Sequence, residues 1–278
     1  MHPPELPGVT HRYHDLATGI RAHVAHAGDE SNPPLVALHG FPQHWYEWRR
    51  VMERLGGEFH ILAMDLRGLG WTSKAADRDY RKATIAADVI ALLDALGIEQ
   101  AGLVAHDWGG WVGWHAVLGH PERFTGYVAS GIAHPWNSPA TMLRELPRFL
   151  YQPPIAAPIL GPLLIPHIVT RILRAAWGDR ETYDRAAEPI YADAYRDSDA
   201  SLYYRQFLAH DVMRGPHGRL AIPTRLLQGR KDPIGTALAT GLERHGDDAR
   251  TILLDGCGHF VPEERPDEVA DTVRDLLL

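Results

Sequence analysis

The sequence predicts an α/β protein with one mostly parallel central sheet, helices on its flanks and a helical insertion. Three observations lead there. Short apolar runs alternate with segments of helical period, the signature of parallel strands joined by right-handed crossovers. The alternation stops near residue 135 and resumes near residue 221. And the run Leu103-Val104-Ala105-His106-Asp107-Trp108-Gly109-Gly110 reads as strand, sharp turn and helix, with Asp107 at the tip of the turn.

The elements follow in order. Polar and apolar residues alternate from Val9 to Ala27 around Thr18-Gly19, which predicts a strand hairpin. Leu35-Val36-Ala37-Leu38 is an uninterrupted apolar run, as a strand buried on both faces requires. Tyr46 to Leu55 has helical spacing, and Phe59 to Met64 is a second buried strand. Ile85, Val89, Leu92, Leu93 and Leu96 mark a helix from Lys82 to Leu96, with Gly97 as its stop. Leu103 to Ala105 is the third strand, Trp108 to Leu118 its helix, and Phe124 to Ser130 the fourth strand. From Pro135 to Leu220 the chain is rich in Pro, Tyr and Arg and holds no buried strand run. Then come a strand at Thr224 to Gly229, a helix near Thr236 to Glu243, a strand at Thr251 to Leu254 and a final helix from Asp267 to Leu277. A core of residues 1–134 and 221–278, interrupted by a cap of residues 135–220, accounts for this order. Such an insertion lies over the strand C-termini, where open α/β sheets bind ligands.

Composition removes several classes of function. The 278 residues carry a formal net charge of −7, with the charges mixed along the chain, so no basic stripe invites nucleic acid. A single cysteine, Cys257, allows neither an internal disulfide nor a zinc-site spacing. No cationic start leads into an apolar core and no apolar stretch approaches the ~18 residues of a span, so a cytoplasmic protein without a membrane partner is expected. Lys74, Lys82 and Lys231 are the only lysines against many arginines, a bias of high-GC bacterial genomes. A monomer or a homodimer suits this composition equally.

Asp107 occupies the position that a serine hydrolase gives to its serine in the small-x-nucleophile-x-Gly elbow. A carboxylate attacking an acyl carbon makes an anhydride with little downhill path. Attacking an sp³ carbon that bears a strained or good leaving group, it makes an alkyl ester. Asp107 therefore points to epoxides or alkyl halides. His259, in the glycine-flanked turn Asp255-Gly256-Cys257-Gly258-His259-Phe260 after the last strand, can activate water against that ester; otherwise it is a loop histidine with a backbone partner. Asp232, in Gly229-Arg230-Lys231-Asp232-Pro233, can hold the His259 tautomer or, alternatively, cap the next helix. His39-Gly40-Phe41-Pro42 follows the first buried strand and can aim the Phe41 amide beside the Trp108 amide as an oxyanion hole, each donor worth ~3–4 kcal/mol. In the insertion, Phe149-Leu150-Tyr151-Gln152 and Leu202-Tyr203-Tyr204-Arg205 offer phenols that can donate to an epoxide oxygen, or tyrosines that merely pack.

Together the motifs HGFP at 39–42, HDWGG at 106–110, GRKDP at 229–233 and GCGHF at 256–260 resemble those of the α/β-hydrolase-fold epoxide hydrolases, relatives of the haloalkane dehalogenases. The resemblance covers nearly the whole chain from Val9. It implies the α/β-hydrolase fold with a helical cap, Asp107 as nucleophile, His259 as base, Asp232 as orienting acid, and the Phe41 and Trp108 amides as oxyanion donors. It also implies Tyr151 and Tyr204 as ring-opening acids, with Tyr203 the competitor for the second role. A small apolar epoxide and water are the implied reactants, with no cofactor and no metal. His39, Trp108, Phe149, Tyr203, His134 and Phe260 are expected around the substrate, although no chemical role follows for His134. The chain departs from the pattern at Ala105, where the elbow usually has Gly; only small size is needed there.

Two other readings compete. A haloalkane or haloacetate dehalogenase shares the aspartate, histidine and cap, but needs N–H donors for halide. The Trp108 indole offers one, whereas Phe41 stands where dehalogenases commonly place an Asn. A non-catalytic binder on the same fold usually lacks a member of the constellation, and none is missing here.

Overall fold

The computed structural model describes residues 2–212 and 215–278. Eight strands form one sheet in the order β1-β2-β4-β3-β5-β6-β7-β8. The hairpin is β1 (Val9–Asp15) and β2 (Arg21–Ala27), and β2 runs antiparallel to β4 (His60–Met64). From β4 onward every pairing is parallel, through β3 (Pro34–Leu38), β5 (Ala101–His106), β6 (Phe124–Ser130), β7 (Thr224–Gly229) and β8 (Ala249–Leu254).

The middles of β3, β4 and β5 are apolar because both faces of the sheet are covered there. Leu35, Ala37, Ile61 and Ala63 pack toward α1 (Arg49–Leu55) and α10 (Pro266–Leu277). Their chain neighbours Val36, Leu38, Leu62 and Met64 pack toward α2 (Lys82–Ala95) and α3 (Trp108–Gly119). Successive strands β3 and β4 build the sheet one way, and β5 returns to the other side of β3. The order reverses at β3, so a crevice opens between the carboxyl ends of β3 and β5. Phe41 follows the first of these strands and Asp107 the second.

Between β6 and β7 the described residues form helices and no strand: α4 (Pro139–Glu145), α5 (Gln152–Ala156), α6 (Leu160–Ala176), α7 (Ala187–Ala194) and α8 (Ala200–Gln206), the last running into a π turn over Phe207–Asp211. The insertion is fastened to the core by polar bonds at several points. Tyr195 donates to the Gln43 carbonyl at 2.6 Å, Tyr203 to the Arg67 carbonyl at 2.7 Å, and Arg49 reaches Asp184 at 2.9 Å. The Glu264 carboxylate accepts from the amides of Gly178, Asp179 and Gly258, so one buried side chain holds the segment after α6 and the turn before His259.

Three elements differ from the sequence reading. The helix expected near Thr236 to Glu243 is two 3-10 turns, Thr236–Leu238 and Leu242–Arg244, because Gly241 between them sits at φ +97° and breaks the helical path. The helix expected from Tyr46 begins as a 3-10 turn over Trp45–Trp48. A short helix α9 (Val261–Glu264) precedes α10, where the glycine-flanked loop hid it.

Candidate active site

Asp107 ends β5 with φ +47° and ψ −116°, a region that residues with a side chain seldom occupy. The turn is held by its own backbone: the Asp107 amide donates to the Ser130 carbonyl at 3.1 Å and its carbonyl accepts from the Trp111 amide at 3.0 Å. Gly109 brings the first turn of α3 against β3, where its amide donates to the His39 carbonyl at 3.0 Å. Gly40 is required for a different reason: a Cβ there would lie 2.3 Å from the Asp107 Cβ. The chain after β3 therefore passes directly over the aspartate, and the Phe41 amide donates to Asp107 Oδ1 at 2.8 Å. Trp108 is the first residue of α3, so its amide has no acceptor within the helix.

His259 stands opposite. Its Nε2 lies 3.6 Å from Asp107 Oδ2 and its Nδ1 3.1 Å from Asp232 Oδ2. Asp232 accepts in addition from Gln228 Nε2 at 2.7 Å and from the Ile234 amide at 2.8 Å, so it both orients the histidine and closes the turn after β7. Burial by itself lowers the His259 pKa, but the Asp232 carboxylate, its hydrogen bond and the Asp107 carboxylate outweigh burial and raise it to about 9. Burial likewise raises Asp232, and the facing His259 reverses the sign and holds it below its ordinary value.

A second pair lies behind this one and escaped the sequence reading. His106 Nε2 bonds the His259 carbonyl at 2.9 Å, and its Nδ1 bonds Glu47 Oε2 at 3.1 Å. A carbonyl only accepts, so the His106 proton belongs on Nε2 and Nδ1 accepts from Glu47. The charges agree. Burial, then the neighbouring His259, lower the His106 pKa to about 4, while burial, Glu263 and Asp107 push the Glu47 carboxyl well above its ordinary range.

A cavity of about 210 Å³ opens onto the aspartate, walled by Phe41, Asp107, Asp232, His259, Tyr151 and Tyr204. Arg148, Ile172, Ala175, Ala176, Pro233 and Ile234 complete it. Of these, Ile172, Ala175 and Ala176 form one face of α6; the periodicity was legible, but which face meets the cavity was not. The Tyr151 and Tyr204 rings meet edge to face at 6.2 Å. Tyr204 is buried and Tyr151 is 44% exposed; the crowding of protein around each hydroxyl, with the Asp107 charge nearby, raises the pKa of both phenols, so both stay protonated at neutral pH.

Six residues expected around the substrate do not line this cavity. His39 is fully buried beneath the loop, where its Nε2 accepts from the Leu66 amide at 3.0 Å and its Nδ1 donates to the Gly40 carbonyl at 3.2 Å. Tyr203 turns away to Arg67, because adjacent residues of a helix point about 100° apart. His134 donates to the Thr240 carbonyl at 2.9 Å, and Phe260 is buried behind His259 against Trp177. Phe149 is half-buried outside the wall. The Trp108 indole is buried and supports Tyr204 edge to face at 5.0 Å. Among the described residues, no cluster of His, Cys, Asp or Glu is arranged to hold a metal ion, and no helix is long and apolar enough to cross a membrane.

Comparison with known proteins identifies the fold and the family. The family model described as the alpha/beta hydrolase fold matches residues 33–266. Epoxide hydrolase 4 of Homo sapiens is 32% identical, with the match covering 96% of this chain and 80% of the human protein. The soluble epoxide hydrolase of a Corynebacterium species is 29% identical over 95% of this chain and 96% of its own. A crystal structure of an epoxide hydrolase from Vigna radiata superimposes with a TM-score of 0.84, covering 98% of each chain at 24% identity, a likeness of fold. With an elbow aspartate where the fold often keeps serine, and with relatives of this kind along nearly its whole length, the chain belongs to the epoxide hydrolases of the α/β-hydrolase fold.

Proposed function

We propose that this protein hydrolyses epoxides to vicinal diols through an ester on Asp107. The observation that carries the reading is a carboxylate and two protonated phenols facing one largely apolar cavity, with an imidazole 3.6 Å from the carboxylate. Oδ1 is engaged by the Phe41 amide, so Oδ2 is the free nucleophile. Its attack on a ring carbon forms a C–O bond and breaks the strained one. The ring oxygen takes a proton through Tyr151 or Tyr204, leaving a β-hydroxyalkyl ester.

The raised His259 pKa fits this order of events. In the resting site His259 is an imidazolium between two carboxylates. Ester formation removes the Asp107 charge and with it one cause of the raised pKa, so the imidazolium gives up a proton. That proton restores the phenol that donated, and the ring oxygen keeps the one it gained. Neutral His259, held by Asp232, then takes a proton from water as the water attacks the Asp107 Cγ. The oxyanion forms on Oδ1, where the Phe41 amide already points, with the Trp108 amide as second donor. Collapse releases the diol and regenerates the carboxylate. Among the described residues, two phenols, and no Asn or second Trp side chain, line the cavity that faces Asp107, which favours an epoxide over a haloalkane or haloacetate.

The test is a single turnover of a styrene oxide-like epoxide in H₂¹⁸O, followed by mass spectrometry of the peptide that holds Asp107. Label is expected in the Asp107 side chain; label found only in the diol refutes the ester. Halide release from a haloalkane panel under the same conditions would instead favour the dehalogenase.

A further inference from the structure

Lys82 takes no part in the mechanism above, yet it is the one lysine of three that the fold buries completely. Burying an ammonium is costly unless it is compensated. Among the described residues no carboxylate lies within 4.0 Å of its Nζ. Compensation comes from elsewhere. Nζ donates to the Tyr203 carbonyl at 3.2 Å and to the Tyr80 carbonyl at 3.4 Å. It also lies 4.4 Å from the Trp108 ring centroid, 4.8 Å from that of Tyr203 and 5.8 Å from that of Phe207, a cation–π cage.

The partners of this cage matter more than its strength. Trp108 belongs to the core and directly follows Asp107. Tyr203 on α8 and Phe207 at the start of the π turn belong to the insertion and stand on either side of Tyr204 in the chain. Tyr204 in turn rests on the other contacts of the Trp108 and Phe41 rings, at 5.0 and 5.4 Å. We propose that Lys82 is a positioning residue for ring opening: its ammonium clamps the Tyr203 carbonyl to the Trp108 face and so fixes the Tyr204 phenol over Asp107. This rests on the reading of Tyr204 as a proton donor. A compact ammonium suits a gap between two carbonyls and three rings, which the planar fork of an arginine does not.

The clamp responds to pH. The groups that face it are Asp211 in the π turn, whose carboxylate accepts from the Lys82 amide at 3.1 Å; Tyr203 on α8; Tyr80 in the preceding loop; Asp107; and His115 on α3. Burial, then Lys82 itself, keep His115 neutral, lowering it to about 4. Burial lowers Lys82 to about 7 against the raising effect of Asp211 and Asp107. Below that pH the clamp is an ammonium; above it, a weaker neutral donor. Ring opening therefore slows as pH rises through about 7. Ester hydrolysis, governed by His259, does not share that limb.

Rapid-quench kinetics on Lys82→Met test the clamp by resolving Asp107 ester formation from ester hydrolysis. Ester formation is expected to slow by about 10-fold or more, with hydrolysis changed less than about 3-fold. The neutral limb near pH 7 should vanish. In the double variant with Tyr204→Phe the two effects should overlap rather than multiply, since both act through one phenol. Both steps slowing in parallel, unchanged ester formation, or independent multiplication overturns the clamp. If Lys82→Met does not fold, the wild-type enzyme decides: an ester-formation rate without a limb between pH 6 and 8 overturns it. Absence of any Asp107 adduct in the wild type is a different failure, that of the epoxide reading itself.

Discussion

At φ +47°, Asp107 holds a backbone conformation that costs a residue with a side chain about 1–3 kcal/mol, and neighbours must hold it there. Gly40 is a neighbour with no room to change. A methyl at that position would meet the Asp107 Cβ at 2.3 Å and its Oδ1 at 2.7 Å. Gly40→Ala is expected to lower kcat at least about 100-fold while circular dichroism still reports a folded protein, because displacing a nucleophile by about an ångström costs that much. Equal activity would mean that the loop shifts freely. His259→Gln should accumulate the Asp107 ester, visible as a mass adduct that persists after excess epoxide is removed. Normal turnover by that variant would take the base role from His259. Tyr151→Phe and Tyr204→Phe are each expected to slow ester formation by about 10- to 100-fold and together to abolish it, as loss of a general acid does. Retained turnover in the double variant would remove both phenols from the chemistry.

Among the elements, α6 makes the clearest prediction. It buries Ile165, Val169 and Leu173 and turns Ile172, Ala175 and Ala176 to the cavity. It also supplies the Ala176 carbonyl that accepts the His259 amide at 2.9 Å. One helix thus sets both the width of the cavity and the height of the histidine. Ala175→Leu adds three carbons to a cavity of about 210 Å³ without touching the His259 bond. KM should rise about 10-fold for aryl epoxides and stay near the original value for the smallest aliphatic ones, as follows from filling a pocket by a few methylenes. An equal change for both substrate sizes would show that substrate does not lie along this face.

For the whole molecule, two buried cationic groups give opposite pH signs. His259 is raised to about 9 in the folded protein, so its stabilisation is full below its unfolded pKa near 6.5 and is lost as pH rises through about 9. Lys82 is lowered to about 7, so its destabilisation is full below pH 7 and is relieved as pH climbs toward about 10.5. His259→Gln should therefore lower the unfolding free energy at pH 6 by an amount on the order of 3 kcal/mol, read as a lower Tm, with the gap closing by about pH 9. Lys82→Met should not lower Tm at pH 6, and any gain should shrink toward pH 10. Gaps that stay constant with pH would place the titration elsewhere.

Much of this was legible in the chain. The central strands β3, β4 and β5 were visible because burial on both faces leaves their middles apolar, while β7 and β8, which carry Arg225, Gln228, Arg250 and Thr251, were visible from shorter apolar cores. The Asp107, Asp232 and His259 turns were visible because each follows such a strand. The helix around Thr236 was misread because a single glycine, Gly241, broke a pattern that periodicity alone supports. His39 and Tyr203 were expected in the pocket on grounds of sequence neighbourhood. A side chain one residue from a functional one points elsewhere: His39 beneath the loop, Tyr203 toward Arg67.

The sequence by itself determined the class of fold and the family, and it located the residues from which the proposed chemistry is argued: an aspartate in a sharp strand-to-helix turn, with an acid and a histidine after later strands. Only the tertiary structure decided which phenols face the aspartate, which face of α6 limits the cavity, and that a buried lysine stands beneath the tryptophan beside it. The physical reason is range. Strands and turns are written in local period and local backbone freedom, whereas a cavity wall and a charge cage are made by residues far apart in the chain, whose meeting depends on how the insertion packs on the sheet.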